Sequence, residues 1–510
     1  MNVGVVIARA VRRHRDRVAL SSPTASLTFG EAGDRAFRLA RGLLEMGLAP
    51  GDRVLDIQKN SVDYAETELA LASAGLCRVA LNYRQSSADW VVVARDCTPR
   101  ALIYSAEFAD AVAPLRDLVE HVICVDAGGG DRTLDDVRAK ATAASVPLDF
   151  DASTLASLNY SSGTTGRPKG CRRTHANRLA SLGNMVTDVF QGLPRTDDVW
   201  CHVAPMTHAS GLFTLPHFAF GANQLILPGF DADELLDVVP RFGVTGTVLV
   251  PTMVARLLSR PVDTAALSGL RRLVYAGAPM PEEHVRDAYH RLSPRLINMY
   301  GMVEAMPPVS ILSPEEHREA IETGTDWLRS AGTVCTTVQA LVRADDGTPL
   351  PPGEIGEVFI SGANVMDGYW TASAEIDVKD VADGWLSTGD VGYLSEDSRL
   401  FLVNRKGDMI ITGGYNVYPS EVERAIRDLP GIADVVVFGV PDAEWGQIIA
   451  AAYVARDDAT VSDDDVVAQC RATLAGYKKP RLVRRLDAFP LNSNGKVARQ
   501  AVAQAVLTGA

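Results

Sequence analysis

The segment at residues 160–170 constrains this chain more than any other, because it combines closely spaced glycines, hydroxyls and one cation. It reads Tyr-Ser-Ser-Gly-Thr-Thr-Gly-Arg-Pro-Lys-Gly and follows an apolar stretch, residues 155–158, that suits a strand. Gly163 and Gly166 let backbone N–H groups come close to an anion, while the two threonines between them add hydroxyls and Lys169 adds positive charge. The segment therefore predicts a loop that binds phosphate.

The spacing differs from that of the P-loop, which needs a glycine directly before the lysine and a hydroxyl directly after it. Pro168 and Gly170 occupy those two places here. A flexible surface loop is the alternative interpretation, since clusters of serine, glycine and threonine often form one.

Size and charge limit the class of protein. The 510 residues are enough for about three domain-sized units. With 50 Lys and Arg against 63 Asp and Glu, the net charge of −13 argues against a general nucleic-acid surface. We therefore expect no nucleic-acid partner.

Cysteine usage and the first helix bear on location. The seven cysteines are odd in number, scattered and without a Cys-x-x-Cys pair, which is typical of reduced cytosolic thiols. Residues 3–10 are apolar but too short to span a bilayer, and the basic cluster at residues 12–15 follows them instead of preceding them. We expect an amphipathic N-terminal helix, no membrane insertion and a cytoplasmic location.

The order of apolar runs predicts an α/β protein. Strand-like and helix-like segments alternate over the first 330 residues, which is typical of layered α/β subdomains with parallel sheets. Residues 331–403 contain alternating or β-branched runs, at 338–342 and 357–360, separated by turn signals, which predicts a small antiparallel β subdomain. Beyond residue 404 helices and strands form a small α+β domain, whose first helix is predicted to begin with a capping box of Ser420 and Glu423.

Later segments supply further groups suited to nucleotide chemistry. They are residues 204–211 with a histidine, 298–304 with a tyrosine and a glutamate, 387–393 with an aspartate, 404–419 with an arginine, and 490–497 with a lysine. An aromatic ring matches a purine face, a carboxylate suits Mg²⁺, and an ionised aspartate accepts hydroxyl hydrogens. Taken singly, each segment also fits a structural turn or a buried loop.

Together with residues 160–170, these segments resemble, in order and over nearly the whole chain, the motifs of the adenylate-forming superfamily. That superfamily includes acyl-CoA synthetases, aryl-CoA ligases, luciferases and the adenylation domains of peptide synthetases. The resemblance implies an N-terminal adenylation domain at residues 1–403, a hinge at 404–408 and a mobile C-terminal domain at 409–510.

The resemblance also implies roles for single residues. The residues predicted to bind ATP are Ser161, Ser162, Gly163, Thr164, Thr165, Gly166, Lys169, Asn298, Tyr300, Asp390 and Arg405. Those predicted to be catalytic are Lys496, His208 and Glu304, and Glu304 is also the predicted Mg²⁺ ligand. The predicted acid pocket consists of His208, Gly277, Ala278, Pro279, Met302 and Val303. The predicted pivot is Gly407, and Gly414, Trp445, Tyr477 and Lys479 are the residues predicted to meet the acceptor.

The implied reaction is attack of a carboxylate on the α-phosphate of MgATP, which gives an acyl-adenylate and pyrophosphate. Small and apolar pocket residues favour an aromatic, cyclic or medium-chain acid. The resemblance favours coenzyme A as the acyl acceptor, with an amine or a carrier-protein thiol as alternatives, and a non-catalytic nucleotide-binding protein as a third class. An alternative that fits the sequence equally well is that the predicted acceptor residues serve only to pack the small domain. The sequence leaves open whether the protein is a monomer or a homodimer.

Two positions depart from the family pattern. Val303 stands where the family usually has threonine, which removes a hydroxyl near the phosphates. Gly407 stands where relatives commonly have aspartate or lysine, so the predicted pivot has backbone freedom without a guiding side chain. Both departures add weight to the specialised acceptors.

Overall fold

The structure, a computed structural model of the chain, describes residues 1–127, 131–139, 141, 149–161, 168–371, 381–456, 459–492 and 496–508. The chain forms two compact units. Unit 1 comprises Met1–Ala340 with Ile360–Leu386, and unit 2 comprises Leu341–Phe359 with Ser387–Ala510.

Unit 1 is built from helices and mostly parallel strands. Its helices are α1 (Val3–Arg13), α2 (Phe29–Glu45), α3 (Val62–Ala74), α4 (Ser87–Cys97), α5 (Leu134–Ala139), α6 (His175–Asn184), α7 (Thr214–Phe220), α8 (Ala232–Phe242), α9 (Pro251–Leu258), α10 (Glu282–Arg291) and α11 (Pro314–Thr323). Its first strands are β1 (Val18–Ser21), β2 (Ser26–Thr28), β3 (Arg53–Ile57), β4 (Cys77–Ala80), β5 (Ala101–Tyr104), β6 (His121–Cys124), β7 (Arg132–Thr133) and β8 (Leu155–Ser161). They are followed by β9 (Lys169–Thr174), β10 (Val199–His202), β11 (Asn223–Ile226), β12 (Gly246–Leu249), β13 (Arg272–Ala276), β14 (Leu296–Tyr300), β15 (Ser310–Leu312) and β16 (Gly332–Val334).

Two sheets organise unit 1. One has the order β7-β6-β5-β3-β4-β8-β9 and is parallel except for the β8–β9 hairpin. The other runs β16-β15-β14-β13-β12-β10-β11-β1-β2, with parallel pairing from β14 to β1. Helices can cover the faces of such sheets, so the strands carry buried runs such as Ala101–Tyr104. This confirms the predicted α/β fold class.

The helix at the N-terminus also agrees with the prediction. α1 begins after Asn2, whose side chain accepts a hydrogen bond from the Val5 N–H, and its apolar face is buried against the core of unit 1. Within the described residues, no helix combines the length and the apolar character that crossing a bilayer requires.

Unit 2 contains an antiparallel part and an α+β part. The remaining strands are β17 (Val338–Arg343), β18 (Gly356–Gly362), β19 (Val381–Ala382), β20 (Trp385–Leu394), β21 (Arg399–Arg405), β22 (Ile410–Thr412), β23 (Tyr415–Val417), β24 (Ile432–Asp442), β25 (Gly446–Ala455) and β26 (Leu482–Arg485). Strand β19 belongs to unit 1, strands β17, β18 and β20 have residues in both units, and the others belong to unit 2. Its helices are α12 (Pro419–Arg427), α13 (Asp463–Thr473) and α14 (Arg499–Thr508). The strand order is β17-β18-β20-β21 in one part and β23-β22-β25-β24 in the other, where β26 pairs with β25.

The predicted capping box at the start of α12 is wrong. The helix begins one residue before Ser420, whose hydroxyl donates instead to the carbonyl of Val403. The Glu423 carboxylate accepts a hydrogen bond from the Val437 N–H at 3.0 Å and pairs with Arg499 at 2.8 Å. Tertiary partners therefore take both side chains that the local pattern assigned to a cap.

Four buried histidines give unit 1 a predictable response to acid. Burial lowers the pKa of His175 and His217 to about 3 and that of His202 and His317 to about 4, against an ordinary value of 6.5. Unfolding releases neutral imidazoles that bind protons below pH 6.5, so the native state loses stability as the pH falls from 6.5 toward the folded pKa values.

We expect each of these histidines to remove about 2 kcal/mol from the free energy of unfolding between pH 7 and pH 5. Urea unfolding at the two pH values measures the loss. In a His317→Gln variant, the loss in free energy of unfolding between pH 7 and pH 5 should be smaller by about the contribution of one histidine. An unchanged difference would mean that His317 does not titrate on unfolding.

Candidate active site

The predicted phosphate loop is held at both ends by a β-hairpin. β8 ends at Ser161 and β9 begins at Lys169, and these two residues are cross-strand partners. Residues Ser162, Gly163, Thr164, Thr165 and Gly166 lie outside the described residues, so their contacts with phosphate stay a prediction. Just beyond the loop, a Cβ on Gly170 would lie 2.8 Å from the Tyr160 ring, so glycine is required for this packing.

Lys169 lies over an aromatic ring that comes from a distant part of the chain. Its ammonium is 4.5 Å from the centroid of the Tyr369 ring, which is a cation–π distance. The backbone holds the two segments together, because Tyr369 forms a bridge with Cys171 and the Trp370 N–H donates to the Gly170 carbonyl at 2.7 Å. The lysine predicted to bind phosphate therefore has a defined place beside the loop.

The same tyrosine reaches the predicted magnesium ligand. The Tyr369 hydroxyl donates to Glu304 Oε1 at 3.2 Å, and the Glu304 carbonyl accepts from the Met366 N–H at 2.9 Å. Tyr369 thus links Lys169 and Glu304 in one cluster. The sequence analysis missed this residue, although an aromatic pair directly after Gly368 was a signal that could have been weighed.

The segment before Glu304 is anchored by hydrogen bonds to other parts of the chain. The Val303 carbonyl accepts two hydrogen bonds from the Arg173 guanidinium, at 2.7 and 3.1 Å. Burial lowers the pKa of Arg173 to about 10, which still leaves it charged at neutral pH. Asn298, on β14, donates to the Ser330 carbonyl at 3.2 Å, and Tyr300 is the last residue of that strand.

Each of the predicted acid-pocket residues follows a strand of the same sheet. His208 follows β10, residues 277–279 follow β13, and residues 302 and 303 follow β14. These strands are parallel members of one sheet in the order β14-β13-β12-β10, so their carboxyl ends face the same edge. Small molecules bind at such edges in open α/β sheets. The His208 ring is exposed, and its Nε2 lies 3.0 Å from Asn82 Nδ2.

In unit 2, the aspartate predicted to bind the ribose contacts the arginine predicted to bind the nucleotide. Asp390 on β20 and Arg405 on β21 are cross-strand partners, with Arg405 Nε 3.0 Å from Asp390 Oδ1. The Asp390 N–H donates to the Thr388 hydroxyl, which in turn donates to the Val358 carbonyl. These two hydrogen bonds fix the backbone of Asp390, whose carboxylate is nearly buried.

Lys496 lies just before α14. Its N–H donates to Asn492 Oδ1 at 3.0 Å, and its carbonyl accepts from the Asn492 N–H at 2.7 Å. Burial, followed by the positive charge of Arg405, lowers the pKa of Lys496. The predicted pivot, Gly407, lies in a single 3-10 turn, Lys406–Asp408. Rotation about it stays a prediction.

The predicted acceptor residues all belong to unit 2, and Gly414 lies next to Gly413, whose N–H donates to the Trp445 carbonyl at 2.9 Å. The Trp445 ring carries the guanidinium of Arg481 at 4.0 Å from its centroid, a cation that the sequence analysis did not single out. Tyr477 stacks on Tyr415 with a centroid distance of 4.5 Å, and both rings are exposed. Lys479 follows Tyr477 closely and is half-buried, and Gly414 has a positive φ of 82°.

The residues present fit Mg²⁺ held jointly with phosphate. Among the described residues there is no group of three or more His, Cys, Asp or Glu side chains that could hold a metal. Mg²⁺ bound beside nucleotide phosphates usually takes only one or two carboxylates from the protein. Glu304, with its carboxylate oriented by Tyr369, meets that requirement.

The chain is similar to known proteins over nearly its whole length. Residues 7–370 match the family model of the AMP-binding enzymes, and residues 421–496 match that of the AMP-binding enzyme C-terminal domain. A feruloyl-CoA synthase from Amycolatopsis sp. is 34% identical over 497 residues, which cover 96% of each chain.

Two solved structures have the same fold over 99% of both chains. ATP-bound MatB from Rhodopseudomonas palustris has a TM-score of 0.88 and 28% identity. The amide bond synthetase McbA from Marinactinospora thermotolerans has a TM-score of 0.86 and 26% identity. With a family match over most of its length and this fold, the chain belongs to the AMP-binding enzymes of the adenylate-forming superfamily.

Proposed function

We propose that this protein uses MgATP to convert a carboxylic acid into an acyl-adenylate, releasing pyrophosphate, and then transfers the acyl group to coenzyme A. The observation that carries the proposal is the cluster of Lys169, Tyr369 and Glu304 beside the loop at residues 160–170. A cation and a carboxylate held by one aromatic side chain suit a polyphosphate and its magnesium ion.

Each group has a separate task in the first half-reaction. Lys169 and the loop neutralise phosphate charge, and Glu304 would hold Mg²⁺, which supplies charge neutralisation on the pyrophosphate leaving group. The Asp390 carboxylate accepts hydrogen bonds from the ribose hydroxyls. Arg405 keeps that carboxylate in place, with its Nε 3.0 Å from Asp390 Oδ1. Lys496 adds positive charge where an anionic carboxylate attacks an anionic phosphate.

We propose an aromatic, cyclic or medium-chain acid as the substrate. The support is the set of small and apolar residues at the shared sheet edge, together with the feruloyl-CoA synthase relative, whose name denotes an aromatic acid. A neutral ring is favoured there over a charged amino acid, because an unpaired charge against apolar residues is costly to desolvate.

Coenzyme A is the proposed acceptor, with Trp445, Arg481, Tyr477 and Lys479 as the residues that would meet it. Aromatic rings and cations suit an adenine and a phosphate. Transfer to an amine is the second candidate, because the amide bond synthetase shares the fold over its full length and because Gly407 and Val303 depart from the common pattern. A carrier-protein thiol is a further alternative.

Acid-dependent exchange of labelled pyrophosphate into ATP tests the first half-reaction across a panel of carboxylic acids. We expect exchange with at least one aromatic or medium-chain acid. Absence of exchange with every acid would favour a nucleotide-binding protein without catalysis. The active acid is then incubated with coenzyme A or with an amine, and the products are identified by mass. An amide without any thioester would overturn coenzyme A as the acceptor.

A further inference from the structure

The loop that presents His208 is anchored by the buried side chain of Asn60. Asn60 donates to the Ala204 carbonyl at 2.9 Å and accepts from the Met206 N–H at 2.8 Å. A Cβ on Gly211 would lie 2.1 Å from the Met206 carbonyl oxygen, so the loop closes on itself only with glycine there. The backbone of His208 is therefore fixed, and its ring nitrogens take their roles from the groups they face.

The group that faces Nε2 is the side chain of Asn82. This residue is 4% exposed and lies just after β4, where its carbonyl accepts hydrogen bonds from the Trp90 indole at 3.1 Å and the Gln85 N–H at 3.0 Å. Its Nδ2 lies 3.0 Å from Nε2 of His208, although 126 residues separate the two in sequence. Asn82 is thus a fixed partner for the ring.

One backbone N–H decides the orientation of the Asn82 amide. The Arg84 N–H, which can only donate, lies 3.0 Å from Asn82 Oδ1. The oxygen must face Arg84, because rotating the amide by half a turn would set two donors against each other. The NH₂ group therefore points at His208.

The orientation of the Asn82 amide determines which nitrogen of the His208 ring carries the proton. An NH₂ group has hydrogens to donate and no lone pair to offer, so Nε2 must accept and cannot carry a proton. We infer that Asn82 holds His208 as the neutral tautomer with its proton on Nδ1, and is a positioning residue for the acid substrate. The inferred tautomer rests on the contacts of Asn82 with Arg84 and His208, whereas its effect on the acid rests on the proposed function.

Nitrogen-15 spectroscopy of histidine side chains in the full chain tests the tautomer without any substrate. The His208 signals are identified by their loss in His208→Gln. We expect an unprotonated Nε2 and a protonated Nδ1 in the wild-type protein, and the opposite pattern would overturn the inference. This result does not depend on whether the protein forms an adenylate.

Asn82→Asp tests the consequence for the reaction. The substitution keeps an acceptor for the Arg84 N–H and replaces the donor facing Nε2 by an oxygen, so the proton should move to Nε2. We expect kcat/KM for the acid to fall about tenfold or more, while KM for ATP and the thermal unfolding midpoint stay unchanged. Unchanged kcat/KM despite the altered spectrum would contradict the positioning role.

A double-mutant comparison separates the tautomer from the added negative charge. Repulsion between the new carboxylate and the acid would persist without the imidazole, whereas an effect through His208 would not. We therefore expect Asn82→Asp to have little further effect on pyrophosphate exchange in a His208→Ala background. The same fold loss in both backgrounds would show that Asn82 does not act through His208.

Discussion

Lys496→Ala should reduce acid-dependent pyrophosphate exchange by about 10²–10³-fold, because it removes the cation that we propose stabilises charge as the carboxylate attacks the α-phosphate. Transfer from a supplied acyl-adenylate to coenzyme A should be nearly unaffected, since that step breaks the acyl–phosphate bond without needing a new bond at phosphorus. Comparing the two half-reactions in one variant separates a catalytic role from a folding defect.

Lys59→Ala is the matched control for this variant. Lys59 is a partly exposed lysine paired with Glu107, and its loss should leave both half-reactions at the wild-type level. Loss of both half-reactions in Lys496→Ala, or of neither, would contradict the assigned role of Lys496.

The pKa of Lys496 adds a pH test of the same role. Burial and the Arg405 charge lower that pKa, so the side chain loses its proton at a lower pH than an ordinary lysine. The charged form is present below the pKa, and the exchange rate should therefore decline as the pH rises through it. If Lys496→Arg retains measurable exchange, the decline should move to higher pH, because guanidinium stays protonated.

Glu304→Gln should have the second largest effect. Removing the carboxylate charge weakens the predicted magnesium ligand, and we expect exchange to fall about 100-fold, with a higher Mg²⁺ concentration needed for half-maximal rate. Titration of Mg²⁺ at saturating ATP and acid measures both quantities. A Mg²⁺ requirement equal to that of the wild type would exclude Glu304 as the ligand.

Two substitutions of Tyr369 divide its contribution. Tyr369→Phe removes only the hydroxyl that orients Glu304 and keeps the ring under Lys169, so we expect a loss of about tenfold with a raised Mg²⁺ requirement. Tyr369→Leu also removes the ring and with it the cation–π contact to Lys169. The exchange rate should therefore fall by roughly a further few-fold. Equal losses in the two variants would mean that the ring does not help to position Lys169.

Local patterns predicted the elements well where burial alone decides them. The periodicity around residues 63–75 corresponds to α3, and the apolar run after residue 100 corresponds to β5. Residues 277–279 and 302–303 could also be assigned together, because each group follows a strand and the carboxyl ends of parallel strands meet at one edge.

Contacts between residues far apart in the sequence could not be predicted from local patterns. Tyr369 contacts Glu304 across 65 residues and Asn82 contacts His208 across 126, and no local spacing indicates either pair. The capping box failed for the same reason, since Val403 and Val437 outcompete the local helix start for Ser420 and Glu423. Side chains whose partners are set by the fold need the structure.

The most direct test of the central claim follows a carboxylate oxygen through the complete reaction. With the accepted acid labelled with ¹⁸O in its carboxylate, attack on the α-phosphorus followed by acyl transfer must leave one labelled oxygen in AMP. We predict one ¹⁸O in each AMP formed and none in pyrophosphate, as measured by mass spectrometry. Label in inorganic phosphate, or product formed without label in AMP, would contradict an acyl-adenylate.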